Sequence, residues 1–328
     1  MLGAVVRRLP AAIGALLCSS LLFAQTASAA YPERPVRIVV PYGPGGNTDT
    51  TARVIAEEVA RSLNSPMIVV NKPGSGVTLG TEYVARSPAD GYTFLVTTLA
   101  HSINQTLYKS LPYDSVKDFQ AVALIGKVPL VLTVNPKLPV KTQAELIDLL
   151  KNNPDKHGFV SSGIGSPTHV AGESFKIATK TSAVHVPYKG EMPGLMDVIG
   201  GHATFGFGTL AATAPLFQAG SLRVLSIASA RPSDLLPGVP TTDEAGVPGF
   251  QAYTWTALLA PAGTPRDIVD TMNREVNKAL QNPDIQERLK KLGAEADETL
   301  SPEATQEFMN SETQKWGATV TASGATVD

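Results

Sequence analysis

Ile38-Val39-Val40-Pro41-Tyr42-Gly43-Pro44-Gly45-Gly46-Asn47-Thr48-Asp49 is the stretch that decides the fold. A β-branched run reads as a buried strand, the prolines and glycines after it forbid regular structure, and Asn47 or Thr48 offers a side-chain oxygen to cap a helix. Ala52, Ile55, Ala56, Val59 and Leu63 follow at helical spacing, so one face of that helix lies on a sheet while its first turn points at the loop. A first turn carries unpaired N–H groups and partial positive charge, and glycines let a ligand approach the backbone closely. The stretch is a natural seat for a small anion.

Working outward, residues 36–40, 67–70 and 92–97 read as strands and 49–63 and 80–85 as helices, an order that predicts a doubly wound α/β sheet. Asn71-Lys72-Pro73-Gly74-Ser75-Gly76 is a second glycine loop, but its spacing misses a dinucleotide fingerprint by one residue. The strand-like run 128–134 ends among prolines and suits a crossover between domains, and 143–151 is an amphipathic helix. Then Phe159-Val160-Ser161-Ser162-Gly163-Ile164-Gly165-Ser166-Pro167-Thr168-His169 repeats the logic of the opening stretch, with Ser166 as N-cap and Pro167 as first helical residue. Residues 184–187, 204–209 and 222–228 read as strands and 195–199 as a short helix, while 253–259 carries the chain back to the first domain. Thr264, Asn282 and Ser301, each followed by proline, open three C-terminal helices. The expected division is 31–127 plus 254–328 as one domain and 128–253 as the other.

Residues 1–30 read as a secretory signal peptide: Arg7 and Arg8 precede an apolar run over 11–24, and Ala27-Ser28-Ala29 fits the cleavage site. The run is shorter than the roughly 20 residues a bilayer span needs. The single cysteine, Cys18, lies inside it after Leu17, which is not the small residue a lipid anchor requires. Beyond the signal there is no thiol for a disulfide or a metal, so a hydrophobic core must hold the fold. Loss of Arg7 and Arg8 takes the formal net charge from −2 to −4 and leaves Lys290-Lys291 as the longest cationic pair, which argues against nucleic acid. An anionic ligand must be drawn by local dipoles.

Ser166 and His169 at a helix start invite a hydrolase reading, yet the chain has no G-x-S-x-G elbow and capping already explains the serine. His101, His157, His169, His185 and His202 include no helical i, i+4 pair, so no metal is expected, and residues 43–49 lack the ending of a Walker loop. For His169 a hydrogen bond across the helix start competes with ligand contact, and His101 follows a strand towards the cleft edge. What remains is recognition without reaction: two helix starts, facing each other across a hinge, hold a small carboxylate by backbone N–H groups.

Pro41-Tyr42-Gly43-Pro44-Gly45-Gly46-Asn47-Thr48-Asp49, Asn71-Lys72-Pro73-Gly74-Ser75-Gly76, Asp90-Gly91-Tyr92-Thr93, Gly163-Ile164-Gly165-Ser166-Pro167-Thr168-His169, Val186-Pro187-Tyr188-Lys189-Gly190 and Pro237-Gly238-Val239-Pro240-Thr241, in this order, resemble the Bug family. Its members are extracytoplasmic solute receptors of tripartite tricarboxylate transporters. The resemblance implies a Venus-flytrap protein of two α/β domains with a cleft between them. It also implies a monomeric periplasmic chain without a cofactor, serving membrane permease subunits. It implies a ligand carboxylate held by Tyr42, Gly43, Gly45, Gly46, Asn47, Thr48 and Asp49 on one side and by Gly163, Gly165, Ser166, Thr168 and His169 on the other. Tyr188 and Lys189 then line the second wall, and Thr98 and His101 match the strand-end position. Thr204 and Gly208 depart from the family, whose members commonly carry acids there, which favours a plain mono- or dicarboxylate over an amino acid. Alternatives are an orphan receptor feeding a sensor and, more remotely, a hydrolase using Ser166 and His169.

Overall fold

Strand β1 (Val36–Val40) runs through the loop into helix α1 (Asn47–Leu63), and β2 (Met67–Asn71), α2 (Thr78–Ala85), β3 (Thr93–Thr98) and α3 (Ala100–Leu107) follow. In this computed structural model residues 31–296 and 298–328 are described, so the signal-peptide reading and Cys18 lie outside the described residues. β1 pairs in parallel with both β2 and β3, as a buried β-branched strand at the centre of a doubly wound sheet should. Next comes β4 (Phe119–Val134), then α4 (Gln143–Asn152), β5 (Gly158–Ser161), α5 (Pro167–Thr179), β6 (Val184–Pro187), α6 (Glu191–Gly200), β7 (Phe205–Thr209), α7 (Leu210–Gln218) and β8 (Arg223–Ile227). The chain returns through β9 (Tyr253–Pro261) and ends in α8 (Arg266–Leu280), α9 (Pro283–Lys291) and α10 (Pro302–Ser323).

The strands follow the order β2-β1-β3-β9-β4-β7-β5-β6, with β8 also paired to β4. β4 is the spine. Its stretch Phe119–Pro129 pairs antiparallel with β9, Leu130–Val134 with β7 and Val131–Val134 with β8. A mixed α/β sheet results in which β1, β2 and β3 form one parallel group and β5, β6 and β7 another.

The run 128–134, read from sequence as a short strand, is the end of a 16-residue strand. Both faces of β4 are buried over most of its length, which removes the alternation that marks a strand. α3 and α7 escape the sequence reading as well: α3 starts without a side-chain cap, and α7 carries Pro215 in its interior. One continuous core joins Leu95, Leu99, Phe159, Phe205, Trp255 and Trp316, so the two parallel groups are cemented by shared apolar packing. Among the described residues no helix is long and apolar enough to cross a membrane.

Candidate functional site

In parallel α/β sheets, ligands settle at the carboxyl ends of the strands. The pairing Val39↔Leu95 between β1 and β3 brings Tyr42 level with Thr98, and the Tyr42 hydroxyl is hydrogen-bonded to Thr98 Oγ1. Burial pushes the Tyr42 phenol up to about 12, against the opposing pull of that bond, so it stays a neutral donor. In the other group Val160 pairs with Val186 and with Gly206, which sets the loop after β5 beside Tyr188 and the Gly208–Thr209 end of β7.

The α1 start differs from its sequence reading in a way that matters. Gly46, with extended backbone (φ −74°, ψ 168°), is the N-cap instead of Asn47 or Thr48, and no side chain caps the helix. Asn47 instead donates from Nδ2 to the Leu292 carbonyl at 2.8 Å. The N–H of Thr50 bonds to Gly46 O at 2.9 Å, so the N–H groups of Asn47, Thr48 and Asp49 precede the helical ladder and have no carbonyl within it. Gly43, Gly45 and Gly46 are exposed; Gly45 takes φ +83°, and nothing lies within 4 Å of where a Cβ would stand.

Asp49 faces inward. It is 2 % exposed and accepts from the Gly45 N–H (2.8 Å), Arg53 Nε (3.0 Å) and Asn71 Nδ2 (2.8 Å). Burial alone would raise its carboxyl, but the Arg53, Gly45 and Asn71 bonds prevail and hold it at about 2. Asn71 also donates to Tyr42 O at 3.0 Å, so this carboxylate knots the glycine loop to β2.

Side chains of the α5 start cap the helix and tie down the loop before it. Ser166 Oγ accepts the His169 N–H (3.2 Å) and donates to Gly163 O (2.7 Å); Thr168 Oγ1 accepts the Ser162 N–H (2.9 Å); His169 Nδ1 accepts the Gly165 N–H (3.1 Å). Ser166 and His169 therefore do not form a nucleophile–base pair. Gly165 is buried with φ +73°, and a Cβ there would run into the Leu107 side chain at the end of α3. The His169 ring stacks on His185 with centroids 3.9 Å apart, and His185 Nε2 lies 2.6 Å from Ser161 Oγ. Burial, then the neighbouring His185 and Lys176, hold His169 down to about 3, while burial and Lys176 hold His185 at about 4. Both rings are neutral props of the loop. His101 is a core residue too, 1 % exposed, with Nε2 on Ser115 O at 2.9 Å and burial holding it at about 4. It is not at the cleft edge.

Tyr188 is half-buried, its hydroxyl donating to Asp197, while Lys189 is exposed. The hydrogen bond to Asp197 raises the Tyr188 phenol above its ordinary value, with burial adding to it. Sequence reasoning passed over Glu191, which accepts from the Thr209 N–H and from Thr209 Oγ1 (3.1 Å). An acid directly after Tyr188-Lys189-Gly190 was the available signal. The two groups of loops adjoin where Gly165 packs on Leu107 and also near Asn47, which reaches Leu292 O, next to Gly293, where a Cβ would stand 2.9 Å from the Ala211 backbone nitrogen at the α7 start. Beside that junction lies a cavity of about 390 Å³ with Arg231, Asp234 and Lys290 in its walls, where Lys290 is paired to Asp234 at 2.9 Å. Among the described residues no group of three or more His, Cys, Asp or Glu is placed to hold a metal ion.

Residues 51–325 match the family model described as Tripartite tricarboxylate transporter family receptor. The chain belongs to this receptor family. It is 36% identical to Protein BugT of Bordetella pertussis over 320 residues, covering 97% of this chain and 98% of that one. A solved R. palustris protein with adipate shares 35% identity at a TM-score of 0.79, with 90% of this chain and all 100% of that chain aligned. MatC from Rhodopseudomonas palustris with bound malate shares 33% identity at a TM-score of 0.75, over 88% of this chain and 100% of that chain. The Bug resemblance and the periplasmic-binding-protein type of α/β fold are thus established, and the tripartite tricarboxylate receptor is a solute-binding protein rather than an enzyme.

Proposed function

We propose that this receptor captures a small organic carboxylate at the uncapped start of α1, in the periplasm, and delivers it to the permease subunits of a tripartite tricarboxylate transporter as a monomer. The observation that carries the reading is the trio of N–H groups on Asn47, Thr48 and Asp49 lying ahead of the first helical bond, beside exposed glycines with open space above Gly45. Gly163, Ser166 and Thr168 border the ligand from the other loop, where the first-turn N–H of Thr168 is the donor, and Tyr42, Thr98, Tyr188 and Lys189 complete the walls. The relatives solved with adipate and malate support the ligand class. In this reading the groups on either side of the Pro129 and Tyr253 pairing are two lobes, 31–127 plus 254–328 and 128–253, that close on the ligand. The Asp49 carboxylate, Gly165 and the His169 and His101 rings serve the scaffold.

The test is mass spectrometry of small molecules released from freshly purified protein, followed by thermal shifts across a carboxylate panel. A stabilising carboxylate, recovered unchanged, is expected, because a ligand that binds only the folded state raises the melting temperature. No shift with any carboxylate would refute the proposal.

A further inference from the structure

We propose that Glu191 is a specificity-determining residue of the carboxylate site, reading a hydrogen-bond donor on the end of the ligand opposite its carboxylate; this rests on the function proposed above. Glu191 opens α6, three residues beyond Tyr188, and its carboxylate is fixed by the backbone N–H and the hydroxyl of Thr209, the N-cap of α7. Strand register places this pair at the ligand end of the sheet. Val160 pairs with Gly206, so Thr209 at the end of β7 stands level with Gly163 of the second glycine loop, and a Cβ on Gly163 would lie 3.4 Å from Tyr188 O. On its other flank the α7 start touches Gly293, next to the Leu292 carbonyl that receives Asn47 from the first loop. Glu191 and Thr209 thus sit where the two loops converge, both only partly buried.

Gly208 makes room for the arrangement: a Cβ there would stand 2.5 Å from Thr213 Oγ1 and 3.2 Å from Glu191 Oε1. The Thr213 hydroxyl is fully buried and has no partner, so Glu191 is backed by a polar wall rather than an apolar one. Each carboxylate oxygen offers two acceptor sites, and Thr209 fills one on each, which leaves acceptor capacity for a ligand donor. Burial raises the Glu191 carboxyl above its ordinary value, so its charge is under-solvated and gains from a hydroxyl or ammonium brought to it. A second ligand carboxylate at the same place would meet like charge. The sequence-based preference for a plain carboxylate, drawn from Thr204 and Gly208, overlooks this acid.

The test is calorimetric titration of succinate, 4-hydroxybutyrate and 4-aminobutyrate, and of adipate, 6-hydroxyhexanoate and 6-aminohexanoate, into the wild type and Glu191→Gln. The wild type is expected to favour a hydroxyl or amine member over its diacid by tenfold or more, with the two arms separating a neutral donor from a cation. In Glu191→Gln that ratio should fall towards one. A purely structural role would shift all members of a set alike, and Glu191→Asp, which keeps the charge, should restore part of the ratio if the Gln variant folds poorly. Carboxylate binding with no donor preference, or with a preference unchanged in Glu191→Gln, overturns the Glu191 assignment and leaves the carboxylate reading standing. No response to any of the six probes overturns both.

Discussion

Asp49 behaves as a fastener. Replacing it by Asn removes the charge from three hydrogen bonds and an ion pair, and should cost about 2 kcal/mol in urea unfolding with an unchanged m-value. Because its carboxyl falls from 3.8 to about 2 in the folded protein, its stabilisation is complete above pH 3.8 and is lost as the pH drops towards 2. Asp49→Asn should lack that part of the acid transition. His169 acts at higher pH. The unfolded imidazole takes a proton near 6.5 while the folded one resists to about 3, so stability declines as pH falls below 6.5, by at most about 1.4 kcal/mol per pH unit for this group. His169→Asn keeps an acceptor for the Gly165 N–H and should show a smaller loss of melting temperature between pH 7 and pH 4.5. An equal loss would show that the ring is not held neutral. Gly45 tests the site directly: a Leu side chain there would project into open space over the α1 start, at a backbone cost of about 1 kcal/mol for φ +83°. Binding should weaken about a hundredfold, while the melting temperature drops only a few degrees.

Elements differ in how much of themselves they announce. The strand, glycine run and apolar helical spacing of residues 36–63 were legible, and so was the Ser166-Pro167 helix start, because cap chemistry is local. The capping partner at α1 was not, since Asn47 is drawn to Leu292, a contact 245 residues away that no local rule contains. For the same reason the two helix starts looked alike in sequence, whereas α1 has no side-chain cap and α5 commits its His169 N–H to Ser166 and the Ser162, Gly163 and Gly165 amides of its loop to Thr168, Ser161 and His169. Candidate residues chosen for proximity in sequence therefore include side chains, such as those of His169 and Asp49, that bond to their own loops, and the Glu191–Thr209 pair was missed because only the packing of α6 on the β5–β7 strands brings it together. Element packing also fixes α2 against the first loop through Gly80, where a Cβ would stand 2.6 Å from Lys72 O and 2.8 Å from Pro41 Cβ. Both neighbours are stiff. Gly80→Ala should destabilise by about 1 to 3 kcal/mol in the same urea assay.

At the scale of the whole molecule, formal net charge is slightly negative, so long-range attraction does not bring an anion to this receptor. In the proposed function capture falls to short-range dipoles at the helix starts, which act only once the ligand has arrived. β4 joins β9, the neighbour of the first strand group, to β7 of the second, and one core is shared throughout, so any relative motion of the proposed lobes must concentrate where β4 changes partners after Pro129. The central claim is that a ligand carboxylate lies on the free amides at the start of α1. A crystal structure with malate or adipate tests it most directly: the account predicts carboxylate oxygens about 2.7–3.2 Å from the N–H groups among Asn47, Thr48 and Asp49. A carboxylate seated instead in the cavity of Arg231 and Lys290, with the α1 amides facing only solvent, would contradict it.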